Sequence, residues 1–153
     1  MVWYCDSCGQ PIQQPEDGWV EWIRLVGQTP EGRNLRLVHR FNASPRKDYQ
    51  VCQFNQEVEF KKDQGTVADA SLPEFLGPDG LMRLLVFLAD DELPKDEVLE
   101  MIKRLYIPDY EQVRPHIKEA VSSGAVELSS RPGYPLQSEI SAVLKFIEDR
   151  DSR

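Results

Sequence analysis

Cys5-Asp6-Ser7-Cys8-Gly9 is the stretch that organises the first third of this 153-residue chain. Two residues between the cysteines let both sulfurs reach one ion while the intervening amides point at them. The glycine after the second cysteine tolerates the positive φ that so tight a turn requires. Three cysteines are an odd count, which excludes a complete intramolecular disulfide framework. The other strong ligands in this half are His39 and Cys52, and Cys5, Cys8, His39 and Cys52 together make a Cys₃His set, an established structural zinc combination. Four protein ligands leave no position for water, and no helical H-E-x-x-H accompanies them, so the expectation is a structural ion. Two other readings stand beside it. A redox C-x-x-C normally follows a strand and opens a helix, whereas here Gly9 and Pro11 follow and no βαβ pattern is near. Alternatively the three cysteines are idle, packed as small apolar residues.

Working outward, Trp19–Val26 is rich in aromatic and β-branched residues, and Leu35–Phe41 partly alternates as a half-buried strand does. Gly27–Asn34 between them is turn chemistry, which predicts an antiparallel hairpin with His39 at the end of its second strand. Asn42–Lys47 reads as a loop, and a further strand is expected around Tyr49–Phe54, bringing Cys52 back. Trp3, Trp19 and Trp22 are expected around the knuckle and hairpin. Lys61–Pro73, polar and aperiodic, reads as a connector. The C-x-x-C-G knuckle resembles half of a zinc ribbon; the second C-x-x-C of that family is absent.

The second half switches to the helical period. Pro78 starts a helix with Leu81, Leu84, Leu85 and Leu88 on one face. Pro94 starts another, with Asp96 and Glu97 near its N-terminus, Lys103 and Arg104 near its end, and Val98, Leu99, Ile102, Leu105 and Tyr106 as its buried face. Asp109 caps a third running through Val113, Ile117, Ala120 and Val121 to Gly124, with Pro115 as a kink or its true start. A last helix spans about Gln137–Asp149, with Ile140, Val143, Leu144 and Ile147 on one side. Asp90-Asp91-Glu92 is expected to be a solvated turn.

Residues 80–136 resemble a winged helix-turn-helix domain: three helices, then Ala125–Leu128 and Gly133–Leu136 as a two-stranded wing turning at Ser129–Gly133. That resemblance implies DNA contact by the third helix, through Gln112, Arg114 and Lys118, with Arg131 at the wing tip. Charge opposes it. Residues 81–136 hold 7 Lys/Arg against 10 Asp/Glu, and DNA affinity rests largely on neutralised phosphates. The more basic stretch is Arg33, Arg36, His39, Arg40, Arg46 and Lys47, which reads as a solvated face or a contact for an acidic group.

The formal charge of −8 disfavours indiscriminate binding to nucleic acid or anionic membrane, and no apolar run approaches the roughly 20 residues of a membrane span. Met1–Asp6 has no basic region and no apolar run, so no secretory leader is expected and the chain reads as cytoplasmic. No G-x-S-x-G, phosphate loop or glycine fingerprint is present, and no enzyme is expected. The sequence thus predicts an α+β protein: a zinc-stabilised β-hairpin module over residues 1–62, a connector over 63–77 and a helical, winged-helix-like module over 78–153. Its expected role is that of a zinc-binding adaptor or regulator working through a protein partner, with homodimerisation open. A DNA-binding regulator of the winged-helix type and a thiol redox protein are the alternatives.

Overall fold

The computed structural model describes residues 1–46 and 51–153, in two compact units, Met1–Leu105 and Tyr106–Arg153. The chain is mixed α+β, with two small antiparallel sheets and six α-helices among the described residues.

The first unit is built around a three-stranded sheet of β3 (Gly18–Arg24), β4 (Gly32–His39) and β5 (Thr66–Ser71), with β3 in the middle. The hairpin expected from the two apolar runs is β3–β4, in register from Gly18 opposite His39 to Arg24 opposite Gly32. The pairing slips between Glu21 and Ile23, where Leu35 and Asn34 face the single residue Trp22, and Asn34 takes φ 61° there. Asparagine tolerates that left-handed geometry, so the bulge costs little. Alternation along β3 sends Val20 and Trp22 to one face and Glu21 and Ile23 to the other. Trp22 lies edge-on to Phe75 and Phe87, with ring centroids 6.1 and 5.1 Å away. Of the three tryptophans, it thus packs in an aromatic cluster with these two rings.

Two short strands, β1 (Trp3–Tyr4) and β2 (Pro11–Ile12), pair at the start of the unit. Three helices complete it: α1 (Gln56–Asp63), α2 (Gly77–Ala89) and α3 (Lys95–Tyr106, whose last residue falls past the division). Asn55 caps α1 by accepting the Val58 N–H at 3.1 Å. Gly80 is a required glycine, because a Cβ there would collide with the backbone of Phe75. The region read as a connector instead ends α1 and supplies β5, which completes the sheet on β3's second edge. The strand expected at Tyr49–Phe54 lies partly outside the described residues, and Val51–Phe54 forms none. Helix faces also differ. α2 buries Gly80, Leu84 and Phe87 and turns Leu85 outward; α3 buries Val98, Met101, Arg104 and Leu105.

The second unit contains α4 (Tyr110–Val113), α5 (Ile117–Ser122) and α6 (Gln137–Asp151). Its core is Tyr110, Val113, Ala120, Val126, Ile140 and Val143, joined by Leu144 and Ile147. The expected third helix is thus broken in two: Pro115 has no N–H to donate, and the chain turns through Arg114–His116 before resuming. Residues 124–136 contain no strand, so the expected wing is not formed. Much of that segment is held by one side chain. Glu139 accepts the N–H of Leu136 at 2.9 Å and of Ser129 at 2.8 Å.

Those donors, Leu136 first and then Ser130 and Ser129, hold the Glu139 carboxyl down at about 2, against an ordinary 4.5. A depressed acid adds stability that is present above its unfolded pKa and lost as pH falls toward the folded one. The second unit should therefore weaken between pH 4.5 and about 2. An acid titration of α6 helicity checks this, and Glu139→Gln should flatten the response in that window.

Candidate metal centre

The first pair of ligands is placed by the β1–β2 pairing, Trp3 opposite Ile12 and Tyr4 opposite Pro11, which closes the knuckle into a tight loop. Inside it, Cys5 N–H donates to Gln10 O at 3.0 Å and Gly9 N–H to Cys5 O at 2.9 Å. Gly9 takes φ +77°, as its position after the second cysteine predicts. The amides of Ser7 and Cys8 point at Cys5 Sγ from 3.4 and 3.5 Å. His39 arrives at the end of β4 and Cys52 on the loop before α1.

The donor atoms of Cys5, Cys8, His39 and Cys52 all lie within 4.8 Å of one another. His39 Nδ1 is 3.4 Å from Cys8 Sγ and 3.8 Å from Cys52 Sγ. A tetrahedron with Zn–S near 2.3 Å and Zn–N near 2.05 Å has S···N edges of about 3.6 Å, between those two distances. The four residues can thus hold a metal ion, and the donor set fits zinc.

The imidazole is oriented for this. Its Nε2 is 3.0 Å from the Pro11 carbonyl, which can only accept, so Nε2 carries the proton and Nδ1 offers its lone pair to the sulfurs' centre. The buried Ser44 hydroxyl lies 3.2 Å from Cys52 Sγ and can donate to a thiolate there. Arg46 holds the knuckle from outside, donating to Ser7 O at 3.0 Å and Ser7 Oγ at 3.2 Å. Burial pushes the Cys5 thiol up to about 11, against the weaker lowering by the hydrogen bonds it receives. A thiol so raised is a poor nucleophile near neutral pH, and a metal ion is what would keep it deprotonated.

Asp6, between the two knuckle cysteines, ties the loop to the rest of the unit. Its N–H donates to Leu37 O at 2.8 Å, and its Oδ2 accepts Leu37 N–H at 2.8 Å. The same oxygen accepts from Arg104 Nη1 at 2.7 Å, while Arg104 Nη2 donates to Tyr4 O at 3.0 Å. Arg104 is a buried cation, its side chain 3% exposed, and its bonds to Asp6 and Tyr4 fasten α3 to the knuckle. Sequence reading saw Arg104 as a helix-end charge. At about 100° per residue Arg104 falls on the side of α3 away from the apolar face read as Val98, Leu99, Ile102, Leu105 and Tyr106, so no local pattern marked it.

The basic stretch is largely absorbed by the fold. Arg33 bonds Asp63 at 2.8 Å, Arg36 bonds the fully buried Glu21 at 2.7 Å and the Cys52 carbonyl at 2.9 Å, and Arg40 lies over the Trp19 ring. Glu21 also accepts the Phe54 N–H; its carboxyl stays raised because burial outweighs the Arg36 charge. Lys47 lies outside the described residues. Of the residues named for DNA, Gln112 is at the end of α4 and Lys118 in α5. Arg114 lies between these helices, 3.5 Å from the buried Glu111, and Arg131 sits over the Tyr134 ring. The break at Pro115 places them on separate elements. Among the described residues, no helix is long and apolar enough to cross a membrane. Comparison with protein-family models, curated proteins and solved structures finds no match.

Proposed function

We propose that this chain is a non-enzymatic, zinc-binding adaptor or regulatory protein that works through protein contacts. The observation that carries the reading is the closed donor set: three sulfurs and one imidazole within 4.8 Å leave a tetrahedral ion no position for substrate or water. When bound, the ion supplies cross-linking of the knuckle, β4 and the Cys52 loop. Cys5, Cys8 and Cys52 would bind as thiolates, and the Pro11 carbonyl would keep His39 in the ligating tautomer. No helix opens after Cys8, where Gly9 takes φ +77° and the chain passes into β2, which weighs against thiol redox chemistry.

DNA regulation is the rival reading, and a winged-helix-like character of the helical half belongs with it. The divided third helix and the engagement of Arg114 with Glu111 weigh against it, as does the acidic balance of residues 81–136. Binding to random duplex DNA near physiological salt should be negligible. Fluorescence anisotropy at two salt concentrations tests this. Tight binding that falls steeply with salt and is lost in Lys118→Ala would replace the adaptor by a DNA-binding regulator.

A further inference from the structure

The three sulfurs of the metal centre are not equivalent. Cys5 is buried, and its Sγ accepts from the amides of Ser7 at 3.4 Å, Cys8 at 3.5 Å and His39. Cys52 is buried too, with the Ser44 hydroxyl 3.2 Å from its sulfur. Its segment is also pinned, because Arg36 donates to the Cys52 carbonyl at 2.9 Å and Glu21 accepts the Phe54 N–H at 2.9 Å. Cys8 is half-buried. Among the described residues no N–H or O–H donor reaches its Sγ, since His39 Nδ1, 3.4 Å away, carries the lone pair of the ring. Hydrogen bonds to a thiolate lower its basicity, and nucleophilicity falls with basicity. Cys8 is thus both the most open and the least hydrogen-bonded sulfur of the set.

We propose that Cys8 is an oxidation site, the point at which hydrogen peroxide opens the metal centre and converts the first unit to a zinc-free form. The Cys8 thiolate attacks a peroxide oxygen, the O–O bond breaks and hydroxide leaves, so the sulfur becomes a sulfenic acid. The Cys5 thiolate then attacks that sulfur and displaces a second hydroxide, which closes a disulfide within the knuckle. Protons from solvent turn both hydroxides into water, and the electrons lost by the pair of thiolates are those the peroxide gains. Cys5 is the resolving partner because it lies three residues from Cys8 and the donor atoms are within 4.8 Å, whereas Cys52 is held in its pinned loop. His39 and Cys52 are left, too few ligands to keep the ion. No catalytic thiol exchange is involved, since the bound ion itself keeps the sulfurs deprotonated.

This names a regulation of the proposed zinc site and rests on that reading. Zinc content of the full-length protein is therefore measured before any oxidant is added. Protein without zinc ends the metal reading and this proposal together; zinc-loaded protein tests the proposal alone. An equivalent of hydrogen peroxide, followed with a chelating dye and by peptide mass mapping, should release about one zinc ion per peroxide consumed. The product should contain a Cys5–Cys8 disulfide, with Cys52 still a free thiol. With N-ethylmaleimide short of saturation, Cys8 of the zinc-loaded protein should be labelled at least about tenfold faster than Cys5 or Cys52. Oxidation or labelling that begins at Cys52 would overturn the proposal, as would a disulfide that contains Cys52 or a centre that keeps its zinc in excess peroxide.

Discussion

Cys8→Ser is expected to release the ion and to loosen the first unit while leaving the second intact. Binding of a structural zinc is folding free energy, and a ligand lost from a closed set lowers affinity by orders of magnitude. The local consequences follow from what the site joins. β1 and β2 pair over two residues each, too few to persist without the cross-link. Without the ion, the Cys52 thiol is left with weak contacts to Ser44 Oγ at 3.2 Å and His39 Nδ1 at 3.8 Å. Asp6 then shifts with the knuckle, so α3 loses the anchor of Arg104. Hydrogen exchange should accelerate more than about a hundredfold, some 3 kcal/mol, in β1, β2 and α3. The cluster of Tyr110, Ile140 and Val143 shares none of these bonds, and protection in α6 should hold. Equal loss along the whole chain would mean one cooperative body and refute the separate response.

Asp6→Ala should be the most damaging substitution that leaves every metal ligand in place. It removes the carboxylate from a guanidinium that is 3% exposed and takes the acceptor from the Leu37 N–H. Losing this charge-assisted hydrogen bond and stranding the Leu37 N–H costs about 2–3 kcal/mol, moderated by the 26% exposure of Asp6. Asp6→Asn keeps an acceptor and should cost about half as much. Urea unfolding of the zinc-loaded proteins measures both. If Asp6→Ala unfolds at the wild-type midpoint, the fastening of α3 to the knuckle through Asp6 is wrong.

What could be read from the sequence was local in its physics. Cys5-Asp6-Ser7-Cys8-Gly9 announces its geometry because two residues between sulfurs and a positive φ at Gly9 are constraints within five residues. The β3–β4 hairpin was legible for the same reason, through alternation on either side of turn chemistry. β5 was not. Thr66-Val67-Ala68-Asp69-Ala70-Ser71 has little strand propensity of its own, and it is extended because the edge of β3 offers it hydrogen bonds. The outward turn of Leu85 escaped because periodicity cannot say which face of a helix apolar all round meets the core. The Asp6–Arg104 pair joins residues 98 apart, beyond any local pattern. Pro115 announced a break, yet whether it kinked or divided the helix was decided by the packing of α4 and α5 under α6.

Cys5, Cys8, His39 and Cys52 should close around one zinc ion. X-ray absorption at the zinc edge, on untagged protein purified without added metal, tests it most directly. About one zinc per chain is expected, with three sulfurs near 2.3 Å and one imidazole nitrogen near 2.05 Å. A Cys52→Ser variant should be purified with little or no zinc, as Cys8→Ser should be. Wild-type protein that carries no zinc, or a shell that contains water oxygen and fewer than three sulfurs, would contradict it.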